Sequence, residues 1–140
     1  MYGAIINDKH TFRDWGLYLQ KKPEAPPPEP KTKLISVPGS SVVIDLTEKL
    51  TGRIEYKTRT VRLDLVSAMR REQYIRRYEQ IVNEIHGRRV KLYIDEEPDL
   101  YYEGRAKVGA LATDKSIASF TIEIEAEPYR RERYSTGRRL

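Results

Sequence analysis

The sequence predicts a mainly β fold: an antiparallel β-sandwich or split barrel with one packed α-helix. Three observations predict it. Several segments alternate apolar and polar residues, as half-buried strands do. A single segment carries apolar residues at helical spacing. Short turn signals separate the remaining apolar runs, and this order favours antiparallel pairing with a helix on the sheet.

Gly3 to Ile6 and Gly16 to Gln20 read as short strands. Asn7-Asp8-Lys9-His10 between them reads as a turn, because Asn and Asp tolerate left-handed backbone. Lys22 to Pro30 holds five prolines in nine residues, so it cannot pair as an inner strand and reads as an extended connector. Lys33 to Val37 is a strand stopped by Pro38-Gly39, Val42 to Leu46 is a second apolar run, and Arg53 to Tyr56 follows the turn at Thr51-Gly52. Thr60 to Val66 places Val61, Leu63 and Leu65 on one face and Arg62 and Asp64 on the other.

Ser67 is the expected N-cap of the helix. Tyr74, Ile75, Tyr78, Ile81, Val82 and Ile85 form one stripe, expected to pack on the strand carrying Phe120, Ile122 and Ile124. Gly87 suits the left-handed position that ends a helix. Val90 to Ile94 then alternates, a turn spans Asp95-Glu96-Glu97-Pro98-Asp99, and Tyr101 to Lys107 follows. A last turn near Thr113-Asp114-Lys115 leads to Ser119–Glu127. There Glu123 and Glu125 oppose the apolar face.

At 140 residues the chain suits one domain, expected over 1–129, with a basic tail over 130–140 expected to be disordered. That tail holds five arginines and one glutamate, leaving 21 basic and 20 acidic groups before it. Four of the five net positive charges therefore belong to the tail, whereas a folded DNA-binding face would hold them itself. No run of 18 apolar residues offers a membrane-spanning helix. Met1-Tyr2-Gly3-Ala4-Ile5 lacks a secretion-signal layout, so synthesis and assembly are expected in the cytoplasm. No cysteine is present, which removes disulfides and thiol chemistry.

The residues offer little chemistry. His10 and His86 have no metal-ligand spacing, and His86 sits where it complements a helix dipole. The acidic run at 95–99 lacks the glycine and alternation of a calcium loop. No nucleophile constellation or phosphate-binding loop is present, so neither enzymatic activity nor a cofactor is expected. Trp15 and the ten tyrosines suit either base stacking or an oligomer interface.

The order of motifs resembles the distal tail (Dit) proteins of long-tailed phages and prophages of Gram-positive hosts. The similarity runs from Ile6-Asn7-Asp8-Lys9-His10-Thr11-Phe12-Arg13-Asp14-Trp15-Gly16-Leu17 through Pro28-Glu29-Pro30-Lys31-Thr32-Lys33 and Val37-Pro38-Gly39. It continues with Asp45-Leu46-Thr47-Glu48, Leu50-Thr51-Gly52, Tyr56 with Arg59, and Ile85-His86-Gly87. Ile94-Asp95-Glu96-Glu97-Pro98, Tyr101-Tyr102-Glu103-Gly104-Arg105 and Glu127-Pro128-Tyr129 complete it. Two departures stand out. Pro38-Gly39 is followed by Ser40-Ser41 rather than the family's Asp-Gly, and a second, carbohydrate-binding-like domain common in the family is not expected within these residues.

The resemblance implies a β-sandwich related to tail-tube subunits. It also implies a structural role in the virion tail: a hexameric ring between the tail-tube protein and the tail-tip or tail-associated proteins. DNA would pass through that ring without being specifically bound. A tail-tube or tube-terminating subunit is the neighbouring alternative, and a nucleic-acid-binding module is the alternative of another class. For the ring, Val42, Val43, Ile44 and Trp15 are the expected oligomer interface, with Val37 to Asp45 as a docking arm; the alternative is that Val42 to Ile44 form an ordinary core strand. Glu123 and Glu125 are the expected lumen-facing residues, within an inner surface expected to be acidic; the alternative is that they face outward solvent.

Overall fold

A computed structural model describes residues 3–46, 52–67, 69–114 and 117–133. The first strands are β1 (Ala4–Ile6), β2 (Lys9–His10) and β3 (Tyr18–Leu19), followed by β4 (Leu34–Ser36), β5 (Val43–Asp45) and β6 (Arg59–Ser67). The helix α1 (Arg71–Ile85) separates these from β7 (Arg89–Ile94), β8 (Glu97–Val108), β9 (Ala112–Asp114), β10 (Ile117–Ala126) and β11 (Arg131–Glu132).

One antiparallel sheet runs β2-β1-β7-β8-β10-β6-β3, with β11 added beside β8 and β9 beside β10. The sheet curls. Ala4 and Ile6 near one end of the order and Leu19 at the other share a single core with Leu63, Leu92, Ile122 and Ile124. The mainly β, antiparallel architecture with one packed helix agrees with the sequence-based expectation. β4 and β5 form a separate two-stranded hairpin outside the sheet.

Period-two patterns set the core. Val61, Leu63 and Leu65 of β6, Val90, Leu92 and Ile94 of β7, and Phe120, Ile122, Ile124 and Ala126 of β10 all point inward. β6 and β10 pair in continuous register from Arg59↔Ala126 to Ser67↔Ala118. Gly104 sits where β8 passes closest to β10: a Cβ there would overlap the carbonyl oxygen of Glu125. At the first hairpin Asn7 and Asp8 both have positive φ, 46° and 71°, which joins Ile6 to Lys9 through a turn matching the twist of the strands.

Several boundaries differ from expectation for identifiable reasons. Ser67 is not the N-cap. It still pairs with Ala118 in β6, and its Oγ accepts from the Met69 N–H, so α1 begins after Arg70 without a side-chain cap. Tyr74, Ile81 and Ile85 are buried, and Tyr78 and Val82 pack partly on the core, but Ile75 is 40 % exposed. Ile75 lies one helical step to the side of the row that faces the sheet.

Arg53 to Tyr56 form no strand; only Tyr56 makes a bridge, to Pro30. The turn after β7 is two residues, Asp95-Glu96, and Pro98 falls where the β7–β8 register shifts. β11 lies beyond the expected boundary at 129. Arg131 pairs with Tyr101, and the Arg130 guanidinium lies 4.5 Å from the centroid of the buried Tyr102 ring. Thr47, Glu48, Leu50 and Thr51 of the family landmarks, and residues 134–140 of the tail, lie outside the described residues.

Candidate interaction surfaces

The β4–β5 hairpin exposes every one of its strand residues. Its pairs are Leu34↔Asp45, Ile35↔Ile44 and Ser36↔Val43, and the Val37 N–H donates to the Val42 carbonyl at the next position. Alternation then sorts the side chains. Ile35, Ile44, Val37 and Val42 share one wholly apolar face, while Leu34, Val43, Ser36 and Asp45 share the other. Exposure reaches 60 % at Leu34 and 56 % at Val42 and Val43. A lone hairpin of this kind is marginal in water, and a contiguous apolar face marks a contact surface.

The proline-rich connector leads into that hairpin, and it is docked. Glu24 exchanges both backbone hydrogen bonds with Arg62 of β6, at 3.0 and 2.9 Å. Further on, Lys31 N–H donates to Glu55 and Lys57 N–H to Glu29. The Arg59 guanidinium donates to the Ala25 carbonyl at 2.8 Å. Prolines supply fixed φ without donors, so the connector lies along the edge of β6 at its few non-proline positions.

Glu123 and Glu125 stand on the solvent face of the sheet, beside an open depression of about 460 Å³ that also meets Thr60, His86, Arg105 and Lys107. Across the strands Glu123 faces Arg62 and Lys107, and Glu125 faces Arg105 and Thr60. Thr58 donates to Glu125 at 2.9 Å. Together with Asp64 these positions hold three carboxylates and three cations, so the acidic excess expected of this face is absent. The neutral balance follows from cross-strand pairing of opposite charges.

The acidic turn is a tether. Lys22 of the connector reaches Glu96 and Glu97, at 3.6 and 3.2 Å, and Arg130 pairs with Glu97. Desolvation raises the Glu97 pKa, but the hydrogen bonds from Arg130 and Lys22 outweigh it and hold the group below its ordinary value. Glu103 is likewise lowered, its desolvation outweighed by Arg89 and Arg131. On the other side of the tether, His10 Nε2 lies 2.8 Å from Asp95 Oδ2.

Trp15 is withdrawn from the interface. It is completely buried in the core of its own chain, folded under by the turn that follows β2. It is equally unavailable for base stacking. Within the basic tail, Arg130 pairs with Glu97 and Arg131 with Glu127, and Arg89 pairs with Glu103 and Glu127. Among the described residues no three His, Asp or Glu side chains gather as a metal site, and no helix is long and apolar enough to cross a membrane.

The fold is similar to the crystal structure of the Dit protein of phage SPP1, described as a paradigm of the hub adsorption apparatus in phages infecting Gram-positive hosts. The TM-score is 0.73 at 12 % identity, over 94 % of this chain and 52 % of that one. The chain has a Dit-like fold. It spans about half the length of the SPP1 Dit protein. No family model and no curated protein matches the sequence. At this identity the likeness is one of fold. On this Dit-like fold the hairpin residues Val42, Val43 and Ile44 are exposed together, Glu123 and Glu125 share the opposite kind of surface, and Trp15 belongs to neither. The tether and the docked connector were not visible in the sequence, because both rest on partners dozens of residues away.

Proposed function

We propose that this chain is a structural subunit of a phage tail, acting by shape and self-association in the tail tip. In this reading six copies close into a ring that joins the tail-tube protein to the tail-tip or tail-associated proteins. The ring would be assembled in the host cytoplasm and carried in the virion. The observation that supports it is the exposed apolar hairpin on a Dit-like fold.

Val42 and Ile44, with Val43 on the hairpin's other side, dock on the next copy. A head-to-tail contact of this kind closes when its rotation suits, instead of growing a filament. The face carrying Glu123 and Glu125 lines the lumen. Its near-neutral charge gives passing DNA neither a sticky nor a strongly repelling wall. A tube-level subunit remains the alternative, and it would use the same hairpin.

Mass in solution with negative-stain imaging tests the reading. Wild type forms rings, and they persist as salt rises, because an apolar contact releases no counterions. Ile44→Asp and Val43→Asp keep the native circular dichroism and give the mass of one chain. A wild type that stays a single chain at every concentration rejects the ring; rings that survive both substitutions reject the hairpin.

A further inference from the structure

We propose that His10 is an acid-opened latch on the turn that buries Trp15. The ring is committed at both nitrogens. Its Nδ1 faces the backbone N–H groups of Phe12 and Arg13, at 3.0 and 3.2 Å, and can only accept from them. The single ring hydrogen therefore sits on Nε2 and is donated to Asp95 Oδ2, 2.8 Å away. His10 is buried, and its ring lies against Gly3 closely enough that a Cβ there would strike it.

The imidazole works as the cap of a short helical turn. Asp14 and Gly16 donate back to the carbonyls of His10 and Phe12, and the Asp14 carboxylate accepts from the His10 N–H at 2.7 Å. Leu17 N–H donates to the Thr11 carbonyl at 2.8 Å. That turn places Trp15 and Leu17 in the core.

A second proton has one place to go, Nδ1, where two N–H groups already point. Protonation turns that acceptor into a donor and leaves both N–H groups unpaired. The charged groups around the ring are Asp95 from the β7–β8 turn and Asp14 from the capped turn, with Lys9 and Arg13 as chain neighbours and the Lys22-paired Glu96 beyond Asp95. The carboxylates attract an imidazolium. Asp95 can do so without the turn, since its bond is to Nε2 and its side chain is 43 % exposed. The protonated ring therefore stays on Asp95 and lets the 11–16 turn go. Imidazole is the side chain that gains a proton between about pH 8 and pH 5.

Trp15 is the only tryptophan, so its emission reads the latch. Lowering the pH from about 7.5 to about 5.5 is expected to shift wild-type emission to the red while far-ultraviolet circular dichroism stays native. His10→Asn keeps a capping acceptor but does not titrate, and its emission stays constant over that range. A flat wild-type profile overturns the proposal, as does the same red shift in His10→Asn. If that variant does not fold, wild-type ring NMR decides. Nδ1 must be unprotonated at the higher pH, and the emission change must track the titration of the His10 ring. A ring that titrates with Trp15 emission unchanged also overturns the latch.

Discussion

Tyr78 of α1 meets Phe120 of β10 edge to face, with ring centroids 5.2 Å apart, and its hydroxyl donates to the Gly109 carbonyl at 2.7 Å. One side chain thus fixes both the depth and the rotation of the helix on the sheet.

The helix row should therefore divide sharply on truncation. Ile81→Ala, at a fully buried site, is expected to cost about 2–5 kcal/mol. Tyr78→Phe keeps the ring packing and is expected to cost only about 0.5–1.5 kcal/mol, the worth of one net hydrogen bond. Ile75→Ala is expected to fall within about 0.5 kcal/mol of wild type, as at most surface positions. Urea denaturation of the three variants checks the order, and an Ile75 effect as large as that of Ile81 would contradict the packing.

Gly104→Ala is the smallest change expected to disturb the sheet. The added methyl meets backbone of Glu125 and Ala126, which no rotamer change relieves. A loss of about 1–3 kcal/mol is expected, as for other overpacked sites. A variant melting with wild type would show that β8 and β10 are free to part there.

Acid should weaken the fold through Glu97 and Glu103. Both are lowered in the folded state, so their ion pairs contribute fully above the ordinary carboxylate value of 4.5 and fade as pH falls through the folded value. Stability measured below about pH 5 should drop less steeply in Glu97→Gln with Glu103→Gln than in wild type. Equal slopes would show that these pairs do not distinguish folded from unfolded chain.

Since the chain has no cysteine, Glu123→Cys carries a single thiol. In an assembled ring it is expected to react with a small maleimide and resist one coupled to a bulky polymer, while Ile117→Cys, half exposed on β10, supplies the comparison. Equal reactivity toward both reagents would put Glu123 outside the lumen.

Strands β6, β7 and β10 are legible in the sequence because one wet face and one dry face leave a period of two. The helix is legible for the same reason at its own period, although Ile75 is not separable from Tyr74 without knowing how the helix is rotated. Trp15 was misplaced because an aromatic beside Arg13 and Asp14 carries no sign of depth: the turn beneath it depends on a histidine cap. Ser67 looked like a cap because its pairing with Ala118, 51 positions away, leaves no local trace. The exposed apolar hairpin was legible as two runs about a Pro-Gly break, while its isolation from the sheet was not.

The connector is fastened to its own subunit at two stations, Glu24 on Arg62 and Pro30 against Tyr56. Two fixed points define a direction. Between them the prolines admit little bending, so the heading at which the chain leaves toward β4 is inherited from the sheet. In the proposed ring, that heading would set the direction in which each copy presents its hairpin to the next. A connector shortened by one residue between the two bridges could not keep both, so the hairpin would leave its own subunit in another direction.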